Sequence, residues 1–173
     1  VLAAAAQLAQ GYALRGDLII TAVADEEHAS IGTAAAIAHL RESGERVDAA
    51  IVTEPTDLQL CVAHKGFAWA SITTHGRAAH GSRRADGVDA IAHMGRVLAA
   101  LERLDALLQE QPAHPLLGHG SLHASLIVGG SELSTYPARC QLEIERRTLP
   151  GESAESVAAE LDAILRELSS QDS

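Results

Sequence analysis

An eight-residue run, Asp17-Leu-Ile-Ile-Thr-Ala-Val-Ala24, ends directly in Asp25-Glu26-Glu27. A second apolar run, Ala49-Ala-Ile-Val-Thr-Glu54, ends in a carboxylate followed by Pro55. Continuous apolar runs of this length read as strands buried on both faces of a sheet. Ligands gather at the carboxyl ends of such strands. Residues 2–14 and 31–43 carry helical patterns, the second closed by Ser43-Gly44. Helix, strand, helix, strand in this order predicts part of a parallel αβ domain. Three carboxylates at its strand ends predict a converging metal site with its own base. Neighbouring strand residues point to opposite sides, so Glu26 and Glu27 can divide base and ligand duties. The competing reading is a solvated acidic loop.

The pattern changes near residue 65. Phe67–His75 reads as a half-covered strand, followed by a glycine-marked loop from Gly76 to Gly87. A helix is expected over about 87–109, with Val88, Ile91, Ala92, Gly95, Leu98, Leu101 and Leu108 near 3.6-residue spacing. Residues 110–120 form a loop, and 122–128 and 138–146 two strands joined through Gly129-Gly130. A last helix starts near Glu152, with a stripe through Ala154, Val157, Ala158, Leu161, Ile164, Leu165 and Leu168. The second half is therefore βαββα, a ferredoxin-like unit short of one strand. That strand is expected beyond Ser173, and the chain reads as an internal piece of a longer protein.

Composition excludes some functions. The formal charge of −10 and the 2% aromatic content oppose nucleic-acid binding, which needs a basic face and stacking platforms. No run has the roughly 18 apolar residues of a membrane helix. Cys61 and Cys140 match no metal or redox spacing. They are expected as free thiols of a reducing cytosol. Among the nine histidines, His39 and His93 read as helix-surface residues. His119 and His123 fall in a glycine-rich stretch unsuited to a ligand pair. His80, in the loop Gly76-Arg-Ala-Ala-His-Gly-Ser82, is placed to hydrogen-bond an oxyanion. Arg147, at the end of a strand, suits a bidentate pair with a substrate carboxylate. Its alternative is an ion pair with Glu143 or Glu145.

Five stretches together resemble one family. They are Ala24-Asp-Glu-Glu27 with Gly32, Thr53-Glu54-Pro55-Thr56, His64-Lys65-Gly66, Gly76–Ser82 with Gly87–Ile91, and Glu145-Arg-Arg147 with Pro150-Gly151-Glu152. In order and spacing the chain resembles the co-catalytic zinc amidohydrolases and peptidases. That family includes acetylornithine deacetylase, succinyl-diaminopimelate desuccinylase, aminoacylase and the glutamate carboxypeptidases. The resemblance implies a catalytic domain over residues 1–64 and a lid or dimerisation domain over residues 65–173. It implies Glu26 as general base, Glu27 and Glu54 as ligands of two zinc ions (cobalt or manganese as substitutes), and His80 as the lid histidine that polarises the scissile carbonyl, often in trans. It implies Arg147 as the carboxylate-binding arginine.

Ser134-Thr-Tyr-Pro137 stands where the family has Asn-x-Val-Pro, so Ser134 offers a hydroxyl in place of a substrate-binding amide. Arg84 stands where Pro is common. An early His, a bridging Asp and a late His are needed besides. The implied activity is cleavage of an N-acyl amino acid or small peptide by a cytoplasmic homodimer paired through the lid. The 173-residue chain alone is expected to bind zinc weakly and to be inactive. The rivals are a non-catalytic dimerisation or binding module, and a carboxylate-only magnesium or manganese site.

Overall fold

A computed structural model describes residues 1–11, 14–27 and 30–170. The chain divides into two compact units, Val1–Leu60 and Cys61–Ser173. The first unit contains α1 (Leu2–Gly11) and α2 (Ile31–Glu42). Gly44, at φ 74°, ends α2 in a left-handed turn that a Cβ would disfavour. Its N–H bonds the Arg41 carbonyl, and Glu45 N–H bonds that of Leu40. Residues 12–13, the end of the expected first helix, lie outside the described residues.

The expected strands over 17–24 and 48–53 do not form. Both runs are unpaired chain, with Ile19, Ile20, Val23, Ile51 and Val52 exposed. A strand exists only through its neighbours, because its N–H and C=O groups must be paired. Neither run has a ladder partner among the described residues, so the parallel αβ arrangement is not realised.

The second unit follows the expected βαββα order. Its elements are β1 (Gly66–His75), α3 (Ala90–Glu110), β2 (Ser121–Gly129), β3 (Arg139–Thr148) and α4 (Ala154–Ser170). The sheet order is β1-β3-β2, with both pairs antiparallel. This places β3 between two mutually parallel strands, the split βαβ arrangement of ferredoxin-like folds. One face of the sheet is apolar: Ile72, Leu122, Cys140, Leu142 and Ile144 are buried with α3 and α4 residues in one core. The alternation follows the period of two in β3.

In α3 the expected stripe is met in part: Leu101 is buried and Leu98 and Leu108 pack against the core, whereas Ala92 and Gly95 are exposed. Ala90, Met94, Val97, Leu101 and Leu104 are buried, whereas Ile91 is exposed. The true stripe has equally good helical spacing, and packing against the sheet selects it. In α4 most of the expected stripe holds: Val157 and Leu161 are buried and Ile164, Leu165 and Leu168 pack at the margin, whereas Ala154 and Ala158 are exposed. Asp89 caps α3 by accepting from Ala92 N–H at 2.9 Å. The Asp105 carboxylate accepts from Leu122 N–H at 2.8 Å and ties α3 to the start of β2.

The solvent face of the sheet carries Phe67, Trp69 and Ser71 on β1 opposite Arg147, Glu145 and Glu143 on β3. The two rings lie 5.0 Å apart, tilted by 38°. Both cysteines are free, Cys61 exposed and Cys140 buried. No helix among the described residues is long and apolar enough to cross a membrane.

Candidate functional site

In the first unit, Glu26 and Glu27 occupy an exposed turn that leads into α2. Asp25 and Ser30 flank it at φ 56° and 53°, a left-handed geometry uncommon outside glycine. The Glu26 carbonyl accepts from Ser30 N–H at 3.1 Å. Gly32 makes the fold-back possible, since a Cβ there would meet the Ala24 carbonyl oxygen at 2.1 Å. Glu54 is also exposed, in a turn where Thr56 N–H bonds its carbonyl at 2.9 Å. The expected convergence of acids is not realised. No three His, Cys, Asp or Glu side chains among the described residues are grouped to hold a metal ion. Glu26, Glu27 and Glu54 by themselves supply only part of a ligand set for a metal ion.

In the second unit, the loop after β1 is laced to the segment before β3. Gly76 N–H bonds the Ala138 carbonyl, Gly81 N–H that of Ser134 at 2.7 Å, and Tyr136 N–H that of Ala79. His80 and Thr135 form an antiparallel bridge. Gly87 allows this approach, because a Cβ there would lie 2.5 Å from the Tyr136 ring. His80 and Ser134 are thus held at one end of the sheet, both exposed. The Ser82 N–H points at His80 Nδ1 at 3.3 Å, with Ser82 Oγ 2.9 Å away. A backbone N–H only donates, so this contact favours Nδ1 as the acceptor, the tautomer that places a ring N–H at Nε2. That N–H is the group a developing oxyanion needs.

Arg147 stands at the other end. It pairs with Phe67 in the register, while Arg139 pairs with His75, from which the His80 loop departs. Arg147 lies eight residue steps along β3 from Arg139, about 26 Å at ~3.3 Å per residue. The two candidate substrate contacts of one chain therefore do not meet at one small ligand.

Arg147 makes the ion pair foreseen as its alternative, Nε to Glu145 Oε1 at 2.5 Å. Its guanidinium lies 5.7 Å from the Phe67 ring centroid, in cation–π range. The Trp69 indole N–H donates to Glu145 Oε2 at 2.9 Å. That bond is the largest cause holding the Glu145 carboxyl below its ordinary range; Arg147 and His123 add to it, and burial opposes it. Sequence reasoning passed over Arg146. It is 1% exposed, with Nη2 2.6 Å from Glu152, Nε 3.4 Å from Glu160, and Nη1 donating to the Arg147 carbonyl. Its signal was positional: Cys140, Leu142, Ile144 and Arg146 share the inward parity of β3.

Residues 62–173 match the model of the peptidase dimerisation domain, M20_dimer. The chain belongs to this family. It is 33% identical over 140 residues to acetylornithine deacetylase of Buchnera aphidicola, covering 80% of this chain and 36% of that protein. With acetylornithine deacetylase of Myxococcus xanthus the identity is 32% over 162 residues, covering 90% and 40%. The chain spans well under half the length of these relatives. A putative aminohydrolase from methicillin-resistant Staphylococcus aureus shares the fold at TM-score 0.51 and 18% identity, covering 62% of this chain and 27% of that one. The expected family and the mixed helix and antiparallel-sheet lid fold are borne out.

Proposed function

We propose that the chain is part of a metal-dependent hydrolase that cleaves an amide bond of an N-acyl amino acid or small peptide. Residues 1–64 belong to its catalytic domain and residues 65–173 to its lid and dimerisation domain. The observation that carries this reading is His80. Its Nδ1 faces Ser82 N–H at 3.3 Å, which leaves Nε2 for a ligand, in a domain whose relatives include deacetylases.

In this reading Glu26 accepts a proton from the attacking water and delivers it to the leaving amine. His80 Nε2–H donates to the carbonyl oxygen as charge develops there. Arg147 exchanges part of its pairing with Glu145 for the substrate carboxylate, and Ser134 contributes a hydroxyl beside His80. Glu27 and Glu54 would each help hold one of two zinc ions together with ligands outside the described residues, and zinc held there would supply polarisation of the water and the carbonyl. The separation of His80 from Arg147 supports a homodimer in which His80 serves the partner's substrate. The compartment proposed is the cytoplasm. The 173-residue chain by itself binds zinc weakly and is inactive.

The test is hydrolysis of N-acetyl amino acids by the intact protein. Chelation abolishes it and zinc restores it. Glu26→Gln lowers kcat by about 10²- to 10⁴-fold, the usual span for a general base. A second reading, a non-catalytic dimerisation module, draws on one observation: the family match covers residues 62–173 alone. Unchanged dimerisation with no hydrolysis in the intact protein selects it.

A further inference from the structure

The loop that carries His80 is closed at its neck by the residue that opens it. Arg77 and Val88 form an antiparallel bridge, each N–H bonding the other's carbonyl at 2.9 Å. Gly76 permits this closure, since a Cβ there would meet the Val88 carbonyl oxygen at 2.2 Å. Residues 78–87 therefore form an Ω-loop, a surface loop whose ends lie close together. The Arg77 guanidinium then reaches across the neck to the returning limb. Its Nε donates to the Asp86 carbonyl, and its Nη2 to that of Ala85 at 3.4 Å. Both acceptors are backbone groups, so the cation fixes the course of the chain. Hydrogen bonds from a charged donor are roughly twice as strong as neutral ones.

From Asp86 a run of short bonds leads to the imidazole. Asp86 N–H bonds the Arg83 carbonyl at 3.0 Å, and Arg83 N–H bonds that of His80 at 2.8 Å. These consecutive turns share Arg83 and set Ser82 beside His80. There the Ser82 N–H faces Nδ1 at 3.3 Å, and Ser82 Oγ lies 2.9 Å away. The outgoing limb is held separately, by the bonds of Ala79 and Gly81 to Tyr136 and Ser134. His80 thus has its backbone held by the segment before β3 and its ring held by the limb that Arg77 grips.

We propose that Arg77 is a positioning residue for His80. Its guanidinium holds the returning limb, and the two turns carry that constraint to the Ser82 N–H that orients the ring. Arg77 touches no reacting atom. The inference rests on the reading of His80 as the group that polarises the carbonyl, and it names the side chain that aims it.

The first arm of the test needs no activity. Nitrogen NMR of the labelled histidine rings in the full chain, at about pH 8 and so above the ordinary histidine pKa, reads the His80 tautomer. The wild type is expected to carry its proton on Nε2. Arg77→Met is expected to shift the ring toward a mixture of tautomers, and Arg77→Lys, which keeps a charged donor, to recover part of the preference. Arg84→Met removes an exposed charge from the same loop and is expected to leave the ring unchanged. A wild-type ring without a preferred tautomer, an unchanged ring in Arg77→Met, or an equal shift in Arg84→Met overturns the proposal. So does a fall in urea midpoint for Arg77→Met as large as that for Leu142→Ala, since Arg77 would then hold the fold and not the ring. In the intact protein, Arg77→Met is expected to lower kcat about tenfold, within the roughly 10²-fold that a 1 Å misplacement can cost. KM should stay within about twofold, because the lost interaction belongs to the transition state. A loss confined to KM overturns the proposal. A wild type without hydrolysis rejects the enzymatic reading alone, and the ring then decides the role of Arg77.

Discussion

Arg146 Nη2 lies 2.6 Å from Glu152 Oε1 across the turn that joins β3 to α4. Arg146 is buried and Glu152 is partly exposed, so the pair fixes the turn from its inner side. Leu149 N–H bonds the other oxygen of Glu152 at 2.6 Å, and Arg146 Nη1 holds the Arg147 carbonyl. One buried cation thereby sets the course of the backbone under the candidate substrate contact. Breaking a buried pair costs about 3–5 kcal/mol. Arg146→Ala, which adds a cavity, is expected at the upper end of that span in urea unfolding. Glu152→Gln keeps an acceptor and is expected to cost about 1–2 kcal/mol.

The legibility of Arg146 shows where the sequence ran out. The order βαββα could be read because strand parity and helix stripes are local patterns. One charge among four in a polar-looking strand, Glu143-Ile-Glu-Arg-Arg147, reads by default as surface. Only the inward set Cys140, Leu142, Ile144 assigns Arg146 to the core, and its partners Glu152 and Glu160 come from another element. The apolar runs at 17–24 and 48–53 failed for the opposite reason: their composition is local, but strand formation requires a neighbour. The five motifs revealed the family, yet not that His80 and Arg147 sit at opposite ends of one sheet. That follows from register, which no motif records.

Acid should weaken the sheet face through Glu145. Its carboxyl titrates below the ordinary value of 4.5 when folded. A depressed folded pKa contributes stability that is present above the unfolded pKa and lost as pH falls through the folded one. Trp69→Phe removes the indole donor. The expected result is a wild-type advantage in urea midpoint at pH 7 that shrinks as pH falls below about 4. A constant difference from pH 7 to 3 would contradict the assignment.

Helix α3 depends on its cap. Asp89→Ala removes the acceptor for Ala92 N–H and is expected to cost about 1 kcal/mol. Asp89→Ser or Asp89→Asn should recover most of it. Chemical denaturation of the three variants measures the series.

Gly87→Ala should disturb function more than it disturbs the core. Its Cβ would run into the ring of Tyr136, a residue of the segment carrying Ser134 whose N–H bonds the Ala79 carbonyl of the His80 loop. The expected outcome for the intact protein is a loss of kcat, with a denaturation midpoint changed less than by Leu142→Ala. The latter empties a fully buried site, at about 2–5 kcal/mol.

The central claim is that His80 serves the active site built around Glu26 of the partner subunit. Mixing His80→Ala and Glu26→Gln subunits of the intact protein tests it most directly. Each heterodimer then holds one site with an intact Glu26 and an intact His80 from its partner. The account predicts inactive parent homodimers and heterodimers with about half the wild-type kcat, in line with the ~26 Å between the two ends of the sheet. Verified heterodimers with no activity above the homodimers, alongside an active wild type, would contradict it.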